Sequence, residues 1–363
     1  MNDTTSMPFD PTLGFGSEEA TPPSPRVVQH YVLFDRIEVQ DANGISSPIT
    51  YGFPAVTGFL GAIHALSRDI ELAHESVVGA YSDSRLPQDI VENIGLTGVL
   101  IACHDYKLHH FRPHRYADYT FNQTRNPLKK DGSTAAIVEQ GRINLTMSLV
   151  VEVASSGGAS HWLNSDQNQR IFAELLHTRL QQRRIAGGSV TGLRETKLFS
   201  TGQEQAIQKK LLPGFILDEA KGELEDMTQK LRASHPEATP FDALIDLITL
   251  HHIPPADRED EGGSDKKEKK WTVKTSRQKR GWLVPMPLGY QSISPEFEPG
   301  TLENASYPQY PGQYVETVYG VGRWVFPSKM KKLENHFWRY QTREPDPENH
   351  PDYRLYLTTQ SNK

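Results

Sequence analysis

RINLTMSLVVEV, residues 142–153, alternates its side chains without a break: Ile143, Leu145, Met147, Leu149, Val151 and Val153 against Arg142, Asn144, Thr146 and Ser148. A strand sends successive side chains to opposite faces, so this period of two predicts a strand with one face in the core and the other wet. The segments around it then set the fold. Upstream, Tyr31, Leu33, Ile37 and Val39 alternate with Phe34, Arg36, Glu38 and Gln40, which predicts a strand of the same kind. Between the two, Val56, Phe59, Leu60, Ile63 and Leu66 recur at helical spacing with Pro54 placed to open the helix, and the apolar run GVLIAC (98–103) reads as another strand. Downstream, a helix from Asn164 carries Ile171, Phe172, Leu175, Leu176 and Leu180 and stops at Gly187-Gly188, after which Ser189 and Val190 open a short strand. The order strand, helix, strand, strand, helix, strand predicts an α+β fold with a ferredoxin-like βαββαβ core of the RNA-recognition type. About forty inserted residues separate its second and third strands.

The chain of 363 residues can bury a sizeable core, as one large domain or two smaller ones. Residues 1–27 are rich in Ser, Thr, Pro, Gly and acids and are expected to form a disordered tail before a core over 28–192. A mixed C-terminal extension follows. LLPGFIL (211–217) reads as a buried strand, and 218–234 and 239–252 as helices, the latter with Thr239 as N-cap and Pro240 at the first helical position; together they occupy 193–253. PPADREDEGGSDKKEKK opens a stretch, 254–280, expected to be a charged mobile loop. The aromatic-rich remainder, 281–363, reads as extended.

A net charge of −6 excludes a generally basic nucleic-acid protein, so any such role requires a local positive patch. The lone Cys103 excludes an intrachain disulfide and any multi-cysteine metal centre. No apolar run approaches the roughly 20 residues of a membrane helix, and the first residues lack the basic and apolar regions of a secretory leader. A cytoplasmic location and no membrane partner are expected. There is no P-loop and no dinucleotide fingerprint, and no cofactor is expected.

The insertion carries the strongest chemical signal, HDYKLHHFRPHRYADYTFNQTRNPLKKDG (104–132). Lys107, Arg112, Arg115, Arg125, Lys129 and Lys130 outnumber the acids, and Tyr106, Phe111, Tyr116, Tyr119 and Phe121 are interleaved with them. Cationic groups neutralise phosphates and rings stack on unpaired bases, so the mixture suits single-stranded RNA; an ordinary solvated hairpin is the alternative. His104 and His110 would share a strand face but stand roughly 20 Å apart, too far to hold one metal ion. His64 is a candidate general base for metal-free RNA cleavage, with Tyr51 to assist; on the flank of an apolar stripe, however, a histidine usually packs or hydrogen-bonds, and that reading is preferred. Cys103, inside an apolar run, reads as core. Arg183 and Arg184 either offset the helix dipole or, beside the glycine pair, receive a phosphate.

ISSPITYGFP with the GFLGAIHAL helix, TRNPLKKDGSTAAIVEQGR, RIAGGS, LLPGF and GWLVPMPLGY together resemble the Csy-type small subunit of the type I-F CRISPR surveillance complex, over about residues 31–330. The resemblance implies membership of the repeat-associated RNA-binding superfamily, with a thumb-like hairpin at roughly 104–141. It implies a non-catalytic subunit that binds the 5′ handle of the guide RNA and pairs with the large subunit of the Csy complex. A neighbouring backbone subunit would adjoin it, and target DNA would be reached through the complex. Carried over, Arg125, Asn126 and Lys129 lie near RNA and Ser46, Ser47 and Tyr51 beside the handle; Arg115, Arg142, Arg183 and Arg184 complete the candidate contacts. A separate subunit would process the guide RNA, leaving His64 no cleavage to perform. A metal-independent RNA-processing endonuclease of the same superfamily and a protein-only assembly adaptor remain as other readings.

Overall fold

The computed structural model describes residues 25–75, 86–125, 127–254, 271–277, 280–343 and 354–360. The tail expected over 1–27 lies mostly outside them, as do residues 255–270 of the charged loop. In chain order the elements are β1 (Val27–Asn43), β2 (Ile45–Ser47), β3 (Thr50–Tyr51), α1 (Val56–Glu75), α2 (Gln88–Val91), β4 (Ile94–Phe111), β5 (Thr120–Arg125), β6 (Ile137–Gln140) and β7 (Arg142–Ser155). They continue with α3 (Gly157–Trp162), α4 (Asp166–Gln181), β8 (Arg184–Ile185), β9 (Gly188–Ser200), α5 (Glu204–Lys210), β10 (Phe215–Glu219), α6 (Glu223–Arg232) and α7 (Pro240–Ile248). The last are β11 (His251–Ile253), β12 (Thr272–Lys274), β13 (Trp282–Ser292), β14 (Val315–Val325), β15 (Arg339–Arg343) and β16 (Leu355–Thr359).

The protein is α+β, built on one large antiparallel sheet ordered β15-β16-β13-β14-β10-β4-β7-β1-β9-β8. Its centre, β4-β7-β1-β9, is connected β1-α1-β4-β7-α4-β9. The alternation of β7 places Ile143, Leu145, Met147, Leu149, Val151 and Val153 in the main core, against Phe59 and Ile63 of α1 and Phe172 and Leu176 of α4. Helix α7 begins as its sequence dictates: the Thr239 hydroxyl accepts the Asp242 N–H at 3.2 Å, and the Asp242 carboxylate accepts the Thr239 N–H at 2.8 Å.

Several expectations are corrected. In β1, Phe34 faces Leu149 and Ile37 faces Met147, so two residues oppose Ser148 alone, and Arg36 takes a φ of 53°. This bulge switches the parity of the strand. Val32 and Phe34 share the main core with Ile37 and Val39, whereas Tyr31 and Leu33 enter a second buried layer. The other face of β7 is wet only in its first half, because Ser148, Val150 and Glu152 are buried. Strand β4 extends well past the apolar run GVLIAC, and β9 runs on past Val190 to Ser200. Residues 218–219 finish β10 before α6 starts at Glu223. Helix α7 ends at Ile248, because His251–Ile253 pairs with Thr272–Lys274, placing a strand inside the stretch expected to be a mobile loop.

The second layer forms because the C-terminal half folds back across the sheet. Leu33, Leu100, Val150 and Phe199 are covered by Ile207 and Leu211 at α5 and by Leu333 and Phe337. Next to them Glu152, with its side chain only 4% exposed, accepts the Gly98 N–H at 3.1 Å, the Thr97 hydroxyl at 3.3 Å and Arg339 Nε at 2.9 Å. A Cβ at position 98 would overlap that carboxylate. Trp338 is fully buried and its indole N–H donates to the Leu217 carbonyl at 2.8 Å. Removing the carboxylate takes an ionic partner from a half-buried guanidinium and the acceptor from a buried amide, so Glu152→Ala is expected to lower stability by about 3 kcal/mol. Glu152→Gln, which keeps an acceptor, is expected to lose less; urea unfolding of the two variants measures the difference.

Candidate nucleic-acid interface

The loop from Asn43 to Pro54 is shaped by its own side chains. Asn43 accepts the Ile45 N–H at 3.1 Å, and Ser47 Oγ accepts the N–H groups of Thr50 (3.1 Å) and Ile49 (3.3 Å). Ser46 and Ser47 each share a hydroxyl contact with Thr50 Oγ1, at 2.7 and 2.6 Å. Ser47 is therefore buried in closing the turn, and Ser46 is half-buried. Tyr51 is the outward group of the three, 66% exposed, and its ring meets Phe121 edge-on at 5.5 Å.

Phe121 belongs to an arm formed where β4 outgrows the sheet and pairs with β5, which pairs with β6. Rings and cations alternate along it. Arg112 lies 5.0 Å over Tyr119, which meets His110 edge-on at 4.7 Å, and Arg115 lies 5.8 Å over the exposed Tyr116. Arg125 ends β5, opposite Ile137, and Lys129 sits in the following turn, its N–H donating to Ser133; both side chains are exposed. Asn126 lies outside the described residues. Arg142, at the arm's base, donates to the Asp41 carbonyl at 3.3 Å.

Arg183 grips Asp69 of α1 through both ends of its guanidinium, with Nε at 2.6 Å, so its main bond ties two helices together. Arg184 is exposed on β8. Gly187 has a φ of 81°, which only glycine adopts freely, and a Cβ on Gly188 would lie 2.6 Å from the Gln40 carbonyl. The glycine pair thus serves the chain's own close turn. Ser46, Arg183 and Arg184 meet at one cleft of about 680 Å³, floored by Gly58, Gly61 and Ala62 of α1. Tyr51 looks into another of about 430 Å³, between the loop and His110, Tyr119 and Phe121 of the arm. Arg115, Arg125 and Lys129 line neither.

Among the described residues, the groups that invited catalytic readings are exposed, buried or held in hydrogen bonds. His64 stands exposed on α1. Burial pushes the Cys103 thiol up to about 12, far from thiolate chemistry. No group of three or more His, Cys, Asp or Glu among the described residues could hold a metal ion. A serine, a histidine and an aspartate do meet, unforeseen from the sequence because the β1 bulge assembles them. Ser148 Oγ donates to the buried Asp35 at 3.1 Å, accepts the Arg36 N–H at 3.1 Å and touches His104 Nε2 at 2.7 Å. Arg194 also pairs with Asp35. With serine's one proton on the aspartate, Nε2 must donate, and His104 has no lone pair there to take that proton. Its Nδ1 is buried without a partner among the described residues. Burial, reinforced by Arg36, holds its pKa down at about 4. The cluster is a structural network, the reverse of an activated nucleophile.

No helix among the described residues is long and apolar enough to cross a membrane. Comparison with known families places the chain among CRISPR-associated proteins: the family described as CRISPR-associated protein (Cas_Csy2) matches residues 32–350. It is also 35% identical over 330 residues to the CRISPR-associated protein Csy2 of Pseudomonas aeruginosa (strain UCBPP-PA14), an alignment covering 87% of this chain and 92% of the relative. The chain belongs to the Csy2 family, in agreement with the resemblance read from its motifs.

The depressed His104 makes stability depend on pH. The unfolded chain takes up a proton near pH 6.5 that the folded chain refuses until about pH 4, so stability falls as pH drops through that window. His104→Asn is expected to flatten part of this slope in thermal-unfolding measurements at pH 7, 6 and 5. Part remains, because buried His30 is lowered too.

Proposed function

We propose that this chain is a non-catalytic subunit of the type I-F Csy surveillance complex, binding the 5′ handle of the guide RNA and pairing with the large subunit so that invading DNA is recognised. The observation that carries the reading is the edge-on meeting of Tyr51 with Phe121, which sets the loop and the arm on two sides of one ring-lined cleft. Exposed rings stack on splayed bases, and the cations of the arm neutralise the intervening phosphates. The arm is read as the thumb of this family. The strand order β4-β7-β1-β9, with both connecting helices on one face, is read as the ferredoxin-like core of the RNA-recognition type. Family membership supports a place in a multi-subunit Csy complex, where a neighbouring backbone subunit adjoins the chain and target DNA is met through the assembly, in the cytoplasm. The hydrogen-bonded Ser148 and the exposed His64 favour holding RNA over cutting it.

Replacing Arg125 and Lys129 by Glu is expected to weaken guide-RNA retention, each lost phosphate contact making the slope of log affinity against log salt shallower by about 0.7. Lys209 and Lys230, exposed on α5 and α6, receive the same charge change as a control and should have little effect. Equal responses would show diffuse electrostatics, and no RNA retention at all would favour the protein-only adaptor. His64→Ala should leave repeat RNA uncut, as in the parent. Cleavage at one site by the parent, lost in His64→Ala, would establish the endonuclease instead.

A further inference from the structure

The loop of residues 46–54 is a shared wall. Ser46 and Pro54 line both the cleft over α1 and a further cavity of about 430 Å³; Tyr51 and Leu108 line both that cavity and the cleft beside the arm. The three spaces therefore follow one another, from Arg184 at one end to the rings of the arm at the other, where Arg112 lies over Tyr119. The middle cavity is unlike its neighbours. Its walls are Phe53, Phe215, Trp282 and Trp324, contributed by the loop, β10, β13 and β14. Trp324 meets Phe53 edge-on at 5.0 Å, and Trp282 meets Phe215 at 5.7 Å. Trp282 remains 52% exposed and Phe215 39%, although the same fold buries Trp338 completely. Two large half-open rings around a hole wide enough for a nucleobase mark a surface completed by a ligand.

We propose that this cavity takes one unpaired base of the bound RNA, stacked against Trp282 and Phe215, with the sugar-phosphate chain running along the 46–54 loop towards the arm on one side and Arg184 on the other. The inference rests on the RNA-binding reading above and adds to it a particular subsite. A protein side chain would need a single hole; a polynucleotide needs consecutive spaces with positive charge at the ends and rings in the middle. Asp105, exposed at the cavity's edge, adds selectivity. Its Oδ1 accepts the Tyr106 N–H at 2.9 Å, and an ionised carboxylate only accepts. It favours a base with an exocyclic amino group, such as adenine or cytosine, over uracil, whose one ring donor is flanked by carbonyls that the same charge repels.

The test is an abasic scan of the RNA in the fully reconstituted complex, with the parent chain, Trp282→Leu and Phe215→Leu; leucine keeps the packing apolar and removes the ring. Abasic substitution at one position is expected to weaken RNA binding by the parent about tenfold. Trp282→Leu should lose a similar amount with intact RNA and show no further loss at that position. Restoring a base there should help the parent most when it carries an exocyclic amino group. If no abasic position couples to either variant, the proposal is overturned. If Trp282→Leu instead weakens association with a protein partner in the absence of RNA, the cavity holds a protein side chain, which also overturns it. Failure of the parent to retain any RNA would overturn the RNA-binding reading itself, a result the scan distinguishes from the loss of coupling.

Discussion

Glu152 sits near the C-terminal end of β7 with its carboxylate out of water, and the groups that make this tolerable come from segments far apart along the chain. Gly98 and Thr97 supply an amide and a hydroxyl from β4; Arg339 reaches back from the start of β15. An unpaired carboxylate in that position would be strongly destabilising, so the covering of this face and the neutralisation of the charge are one event. Once Arg339 is in place, Trp338 and Phe337 are buried beside it, and Val99 and Trp338 exchange backbone hydrogen bonds at 2.9 Å. The C-terminal strands then extend the sheet beyond β10, which brings Trp282 and Trp324 to the 46–54 loop.

On the RNA-binding reading proposed above, this closure constrains where nucleic acid would bind. Small RNA-recognition domains stack bases on the sheet face turned away from their helices. Here that face carries Leu33, Leu100, Val150 and Phe199, sealed under α5 and the 333–337 segment. The proposed contact is then displaced to the sheet's end, where the loop before α1, the outgrown end of β4 and the strands β13 and β14 meet. A chain of net charge −6 then needs only a local cationic arm and exposed rings, with no basic surface at large.

Features set by neighbouring residues were legible in the sequence. The period of two in β7, the apolar stripes of α1 and α4, the Thr239-Pro240 start of α7 and the basic, aromatic arm all rest on local spacing. Features set by distant partners were not. The bulge at Arg36 is held by Ser148, more than a hundred residues away, and the second half of the other face of β7 is buried by α5 and a segment beyond residue 330. Arg183 looks like a free cation until Asp69 appears across the helix pair. The aromatic cavity draws rings from four separate segments, and no window along the chain contains more than a part of it.

The central claim, that RNA follows the 46–54 loop between the arm and the small-residue face of α1, is tested most directly by photo-crosslinking. RNA carrying 4-thiouridine at successive positions is bound in the assembled complex, irradiated, and the attached peptides are mapped by mass spectrometry. The account predicts crosslinks in 43–54, in the arm and in 282–287, changing from one to the next in order along the RNA. Crosslinks confined to α6, α7 and the β11–β12 hairpin, none of which lines the three spaces, would contradict it.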